Sequence, residues 1–222
     1  MPGRLDLMIK AVLFDFDGTL VNTNPLIIRS FRETFAALLP DRKLSDEDIL
    51  DCIGPTLHET GTVYLPDDPQ SFVDHYRKLN VAYHDSMILP YPGITEMLDA
   101  LKTQGISIVV VSSKKRDMVM RGIEVMGMND YFDWVFGGDD VKNPKPHPEV
   151  VELALSSLGI KPEEAIMVGD NFHDIHAAQN AGVLSVGVGW AHRGAEYLRS
   201  FAPSYLIRQP MELVEILNTL NS

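Results

Sequence analysis

Asp15 and Asp17 stand two residues apart in Asp15-Phe16-Asp17-Gly18-Thr19-Leu20, directly after the apolar run from Ile9 to Phe14. Two carboxylates this close repel each other by roughly 4 kcal/mol at about 4 Å and an effective dielectric of 20, and a phosphate dianion brought between them is repelled as well. A hard dication such as magnesium removes the conflict, so the pair points to metal-assisted phosphate chemistry. The pair also reads as two turn carboxylates capping a loop. Spacing alone does not separate these readings.

Three further places carry suitable chemistry. Ser112 follows Val109-Val110-Val111 and offers a hydroxyl and a backbone N–H to a phosphate oxygen, with Ser113 and Lys114 extending the same loop. Lys145 lies among prolines in Asn143-Pro144-Lys145-Pro146-His147-Pro148, where an ammonium at a helix start neutralises phosphate as a point charge. Asp170, in Gly169-Asp170-Asn171, offers oxygen to a hard cation, and Asp174 supports it four residues on. Each has a plainer reading: a turn serine, a surface lysine, and a helix N-cap with Asp174 in the first turn.

The elements that must position these residues follow from periodicity. Short apolar runs at Ile9–Phe14, Ile106–Val111, Trp134–Phe136, Ala165–Val168 and Leu184–Val188 read as buried strands. Amphipathic helices lie between them. One carries Ile94, Met97, Leu98 and Leu101 and stops at Gly105, another carries Val150 to Leu158 and stops at Gly159, and a third carries Ile175 and Ala178 before Gly182. Alternating strand and helix predicts an α/β fold with a doubly wound parallel sheet, its site at the strands' carboxyl ends.

From residue 22 to residue 88 the strand signals vanish. Asn24-Pro25 reads as an N-cap and first helical residue, Ser45 to Asp48 as a capping box, and Pro69 to Met87 as one long helix with Phe72, Val73, Tyr76, Leu79 and Tyr83 inward. The chain therefore divides into a core of residues 1–21 and 89–222 and an inserted helical module of residues 22–88. Gly187-Val188-Gly189 lacks the third glycine of a dinucleotide fingerprint and reads as a turn. His173 and His176 lack a third ligand for a transition metal.

Bulk properties exclude several classes. With 45% hydrophobic and 23% charged residues the 222-residue chain is globular in composition, and a net charge of −12 argues against nucleic acid as a partner. No run of about 18 apolar residues is available to span a membrane, and no secretory h-region opens the chain. Cys52 stands alone, so no intrachain disulfide forms, and a reducing cytoplasm is the expected location. Oligomeric state, monomer or dimer, leaves no mark on the sequence.

Taken together, these residues make the sequence resemble the haloacid dehalogenase superfamily: Asp15, Asp17 and Thr19 match its first motif, Ser112 its second, Lys145 its third, Asp170 and Asp174 its fourth. The resemblance implies a Rossmann-like core with a helical cap of the first type inserted after the first motif. It implies nucleophilic attack by Asp15, acid and base work by Asp17, and phosphate contacts from Ser112 and Lys145. It further implies magnesium at Asp15, Asp170, Asp174 and the Asp17 carbonyl, and a small phosphate as substrate. Dehalogenases of this superfamily lack the second acid of the first motif, whereas phosphomutases share both acids. A non-catalytic phosphate-binding relative would be expected to have lost one of them.

Finer detail is similar to the phosphoglycolate phosphatase branch and the bacterial inorganic pyrophosphatases within it, through Asn22-Thr23-Asn24, Ile53-Gly54-Pro55-Thr56-Leu57 and His84-Asp85-Ser86. That similarity makes Thr19, Ser113, Gly54, Pro55 and Asn171 candidate phosphate-binding residues. Pyrophosphate needs a second anion site, for which Arg29, Arg116, His84 or cap backbone N–H groups are the candidates.

Overall fold

The computed structural model describes residues 8–53 and 55–222. In chain order the elements are β1 (Ala11–Phe14), β2 (Val21–Asn22), α1 (Asn24–Leu38), α2 (Asp46–Asp51), α3 (Leu57–Tyr64), α4 (Pro69–Met87), β3 (Leu89–Pro90), α5 (Ile94–Thr103) and β4 (Ser107–Val111). They continue with α6 (Arg116–Val125), β5 (Trp134–Phe136), α7 (Glu149–Leu158), β6 (Ala165–Gly169), α8 (Phe172–Asn180), β7 (Leu184–Val188), α9 (Gly194–Arg199), β8 (Tyr205–Ile207) and α10 (Met211–Leu220). The residues divide into two compact units, one of Met1–Asn22 with Pro90–Ser222, the other Thr23–Leu89.

The first unit is the Rossmann-like α/β fold. Its six strands run parallel in the order β5-β4-β1-β6-β7-β8, so the chain builds one half of the sheet outward from β1 and then returns to build the other. β1 therefore sits centrally, with Leu13 opposite Val109 on one side and Met167 on the other. Strands buried on both faces must be apolar throughout, and β1 and β4 are close to that limit. Leu13, Val109 and Met167 pack with Val150, Val151 and Ala154 of α7 and with Ala177 and Ala178 of α8. With this core fixed, the residues after β1, β4, β5 and β6 share one sheet edge, where the order of strands reverses.

The second unit has a core of its own. Phe31, Phe35, Ile49, Cys52, Phe72 and Tyr76 form one cluster, and Phe31 and Tyr76 bring their ring centroids within 4.5 Å. Ser45 caps α2 as expected: the Asp48 N–H donates to Ser45 Oγ at 3.1 Å and the Ser45 N–H donates to Asp48 Oδ2 at 2.8 Å. Thr56 caps α3 in the same way. α4 spans the expected residues, but its buried face is Phe72, Tyr76, Asn80 and His84 with Val73, while Leu79 and Tyr83 are half-buried. A strict four-residue stripe wins because two polar residues continue it, and polarity hid them from a pattern search.

Two other readings need correction. Thr23, not Asn24, is the N-cap of α1, and it makes no side-chain cap bond, so Asn24 and Pro25 both lie inside the first turn. Gly187 and Val188 are not a turn but the last residues of β7, paired with β8. A strand there needs Gly187 because side chains of Leu198 and Leu206 press to 3.0 Å of where a Cβ would sit.

Candidate active site

Lys145 is the centre of the cluster at this sheet edge. Its Nζ donates to Asp15 Oδ1 at 2.7 Å, to Asp174 Oδ1 at 2.6 Å and to the Val111 carbonyl at 3.1 Å. The three side chains of the cluster are buried, with Lys145 6% exposed, Asp15 7% and Asp174 2%. The lysine is held in place from outside the cluster. Glu149, in the first turn of α7, accepts from the N–H groups of Lys142 and Asn143, closing the loop that delivers it. His147, two residues after Lys145, is exposed, and its Nδ1 accepts from the Glu149 N–H at 3.2 Å.

Backbone pairing fixes the carboxylates. The Asp15 N–H donates to the Val168 carbonyl at 2.9 Å, which extends the β1–β6 ladder by one residue and sets Asp15 beside the end of β6. Asp170 follows that strand, and ligand oxygens of Asp15, Asp170 and Asp174 all lie within 4.8 Å of one another. Gly18, at φ +80°, is what lets the first loop come so near, since a Cβ there would collide with the Asp170 carboxylate. Asp174 has two duties: one oxygen meets Lys145, and the other accepts from the Asn171 N–H at 3.0 Å in a capping box that starts α8. The N-cap reading and the acid-cluster reading of this motif hold together.

Electrostatics show what the arrangement lacks. Burial, opposed by Lys145 and reinforced by Asp174 and Asp17, pushes the Asp15 carboxyl up to about 7. Burial, with Asp15 and Asp174 adding to it, raises Asp170 well above the carboxylate range. For Lys145 burial acts downward, but Asp15 and Asp174 outweigh it and hold the ammonium above its ordinary value. One cation thus faces three acids, and two of those acids are driven toward holding protons. A divalent ion would replace those protons, and an all-oxygen donor set with one carboxylate, Asp170, bound to no donor among the described residues suits a hard cation.

The remaining candidates fall in different places. Ser112 is buried beside the cluster, its N–H donating to the Phe136 carbonyl at 2.9 Å, whereas Ser113 is exposed. Asn171 is buried as the N-cap of α8, and its Oδ1 accepts from the His173 N–H at 3.3 Å. Thr19 is fully buried with its carbonyl accepting from Trp190 Nε1 at 3.0 Å, and its hydroxyl has no hydrogen-bond partner among the described residues. Pro55 belongs to the second unit, between α2 and α3. Gly54 lies outside the described residues. Asp17 does not join Lys145; its Oδ1 accepts from Lys114 Nζ at 2.9 Å. Neither Lys114 nor Gly138, which braces its loop, was singled out as a site residue from sequence. From sequence Lys114 was read only as extending the Ser112 loop.

Residues 12–188 match the family model of the haloacid dehalogenase-like hydrolases. The chain belongs to that family. It is a hydrolase whose family acts on phosphate substrates and typically uses a divalent metal, and the acidic cluster described above could hold one. The chain is 45% identical over 208 residues to "Pyrophosphatase PpaX" of Listeria monocytogenes, covering 94% of this chain and 96% of that one. A protein of the same name from Halalkalibacterium halodurans is 44% identical over the same length. Among solved structures, a haloacid dehalogenase-like family hydrolase from Streptococcus pneumoniae superposes with a TM-score of 0.83 at 25% identity, over 94% of this chain and 98% of that chain. A predicted phosphatase from Clostridium acetobutylicum gives 0.84 at 28% identity, over 95% and 99%. No helix among the described residues is long and apolar enough to cross a membrane.

Proposed function

We propose that this hydrolase is a magnesium-dependent inorganic pyrophosphatase of the cytoplasm. The observation that carries the reading is Lys145 buried between Asp15 and Asp174 with the half-buried Asp170 beside them, an arrangement that folding alone has no reason to keep and that a metal-bound phosphate would complete. The identity of the substrate is supported by near-full-length similarity to proteins named pyrophosphatase.

In this reading Asp15 is the nucleophile, and its carboxylate forms an aspartyl phosphate that water then cleaves. Asp17 gives a proton to the departing oxygen and takes one from the incoming water. Lys145 and the Ser112 hydroxyl hold the equatorial oxygens of the transferring phosphoryl group. Asp15, Asp170 and the Asp17 carbonyl would hold magnesium with Asp174 in support, and the ion supplies charge neutralisation at the reacting phosphate. Thr19, Ser113 and Asn171 are assigned as further phosphate contacts, and Pro55 and Gly54 are kept as candidates on sequence grounds. The helical insertion is assigned the role of the family's caps, which is to favour a small substrate.

Comparing kcat/KM for pyrophosphate and 2-phosphoglycolate at saturating magnesium tests the substrate. Pyrophosphate is expected to lead. An advantage for phosphoglycolate of about tenfold or more would overturn the assignment.

A further inference from the structure

Asp17 and Lys114 form a pair closed across 97 residues of sequence. It is not an ordinary surface contact: the lysine side chain is 13% exposed and the carboxylate 21%. The backbone of Lys114 is anchored at both ends. Its N–H donates to Ser112 Oγ at 3.2 Å, and its carbonyl accepts from the Gly138 N–H at 2.8 Å. Gly138 can approach only because it has no side chain, since a Cβ there would collide with the Ser113 carbonyl. Nζ also lies 5.9 Å from the centroid of the Phe16 ring, so its aliphatic stem runs beside the loop that carries both acids.

Lys114 was not among the second-anion candidates. The cations that were so named are engaged elsewhere. Arg29 bonds Glu33 at 2.7 Å and lies 4.0 Å over Tyr83, Arg116 faces Asp140 at 3.8 Å, and the buried His84 ring meets Asp85 at 2.9 Å. Lys114 stands beside the residue that handles the leaving oxygen.

We propose that Lys114 is a specificity-determining residue whose ammonium binds the leaving group and selects leaving groups that carry a negative charge. This rests on the roles given above to Asp15 and Asp17. In the first displacement a bond forms between an Asp15 carboxylate oxygen and phosphorus. The bond from phosphorus to the bridging oxygen breaks, its electron pair goes to that oxygen, and the proton of Asp17 follows. For that transfer the bridging oxygen must lie about 2.6–3.2 Å from the Asp17 carboxylate. Lys114 Nζ is 2.9 Å from the same carboxylate. The outer oxygens of a leaving phosphate, or a carboxylate one carbon beyond the bridging oxygen, then fall within reach of the ammonium. The anion replaces Asp17 as its partner, and Lys114 keeps its own proton throughout. An uncharged leaving alcohol or phenol offers it nothing.

The test uses the full chain at saturating magnesium, with pyrophosphate, 2-phosphoglycolate and phenyl phosphate as substrates. In Lys114→Met the preference for the anionic leaving groups over phenol is expected to collapse by roughly 10- to 100-fold in kcat/KM, the usual value of a hydrogen bond to a charged group. Lys114→Arg, which keeps the charge, is expected to retain most of that preference. Equal losses on all three substrates, or an arginine variant as unselective as the methionine one, would overturn the proposal and leave Lys114 acting through Asp17 alone. A wild-type protein that hydrolyses phosphoglycolate but not pyrophosphate would instead sink the pyrophosphatase reading, and the phosphoglycolate-to-phenyl ratio would still decide the role of Lys114.

Discussion

Charged side chains behave differently in the two units. In the inserted unit the ion pairs lie at the surface, as Arg29 with Glu33 and Arg32 with Asp46, while the interior is built from Phe31, Phe35, Phe72 and Tyr76. At the sheet edge of the core, Lys145, Asp15 and Asp174 are all buried, and Asp170 joins them with no donor of its own among the described residues. Burying unbalanced charge costs several kcal/mol per ion, which the aromatic cluster of the insertion avoids. The insertion looks like what packing alone would select. The sheet edge does not, and that excess of carboxylate is what the proposed chemistry rests on.

The sharpest way to break this comparison is Asp15→Asn. Activity is expected to fall by a factor on the order of 10⁴ or more, because the amide keeps the shape and loses the nucleophile. The melting temperature should hold, since removing one of three crowded acids relieves repulsion. Phosphate release and a thermal melt on the same preparation settle it, and substantial residual turnover would move the nucleophile elsewhere. The counterpart in the insertion is Phe72→Ala, which empties a fully buried position beside the rings of Phe31 and Phe35. A loss of about 3–5 kcal/mol is expected in denaturant unfolding. If that variant unfolded as the wild type does, the aromatic cluster would not be what holds the insertion together.

A third effect follows from the raised acids. Asp15, pushed to about 7 chiefly by burial, and Asp170, raised from the same cause, bind protons more tightly folded than unfolded, where the ordinary value is 3.8. Their contribution to stability is therefore present at low pH and lost as pH rises through about 7. Stripped of divalent ions, the protein should melt higher at pH 5 than at pH 8, by an amount on the order of 5 °C. Adding magnesium should erase most of that slope, and Asp170→Asn should flatten it without metal. A chelated protein equally stable at both pH values would contradict the charge imbalance.

The strands that carry these residues were legible because they are buried on both faces and so leave unbroken apolar runs, as at Val109-Val110-Val111. β8 was not: it is as short as β5, but only Ile207 of its three residues is buried, so no apolar run marks it, and α10 behind it went unread for want of a framing strand. At the site, Lys145 could be seen as a candidate but not distinguished from a surface lysine, because its partners lie 29 and 130 residues away. The Lys114–Asp17 pair and the approach of Gly138 were invisible for the same reason. Sequence spacing predicts which residues share a strand end, and only the closed sheet decides which of them touch.

The smallest expected effect sharpens the comparison most finely, because it sets two buried threonines against each other. In the insertion, Thr34 is fully buried and its hydroxyl donates to the Ser30 carbonyl at 2.7 Å. In the core, Thr19 is equally buried and its hydroxyl has no partner among the described residues. Valine matches threonine in shape and removes only the hydroxyl, so the two substitutions differ in what that hydroxyl was doing. Thr34→Val should lower stability by about 1 kcal/mol, the net value of a buried hydrogen bond. Thr19→Val should raise it by about 1 kcal/mol, because an unsatisfied polar group leaves the interior. For a chain of this length each change is worth roughly 2–4 °C, enough to read by calorimetry without metal or substrate. Activity separates the two again: if Thr19 is held unsatisfied for a phosphate contact, the more stable variant is the less active one, while Thr34→Val keeps wild-type turnover. A Thr19→Val protein that is destabilised like Thr34→Val would mean that the hydroxyl is already satisfied in solution and that this part of the sheet edge is ordinary core.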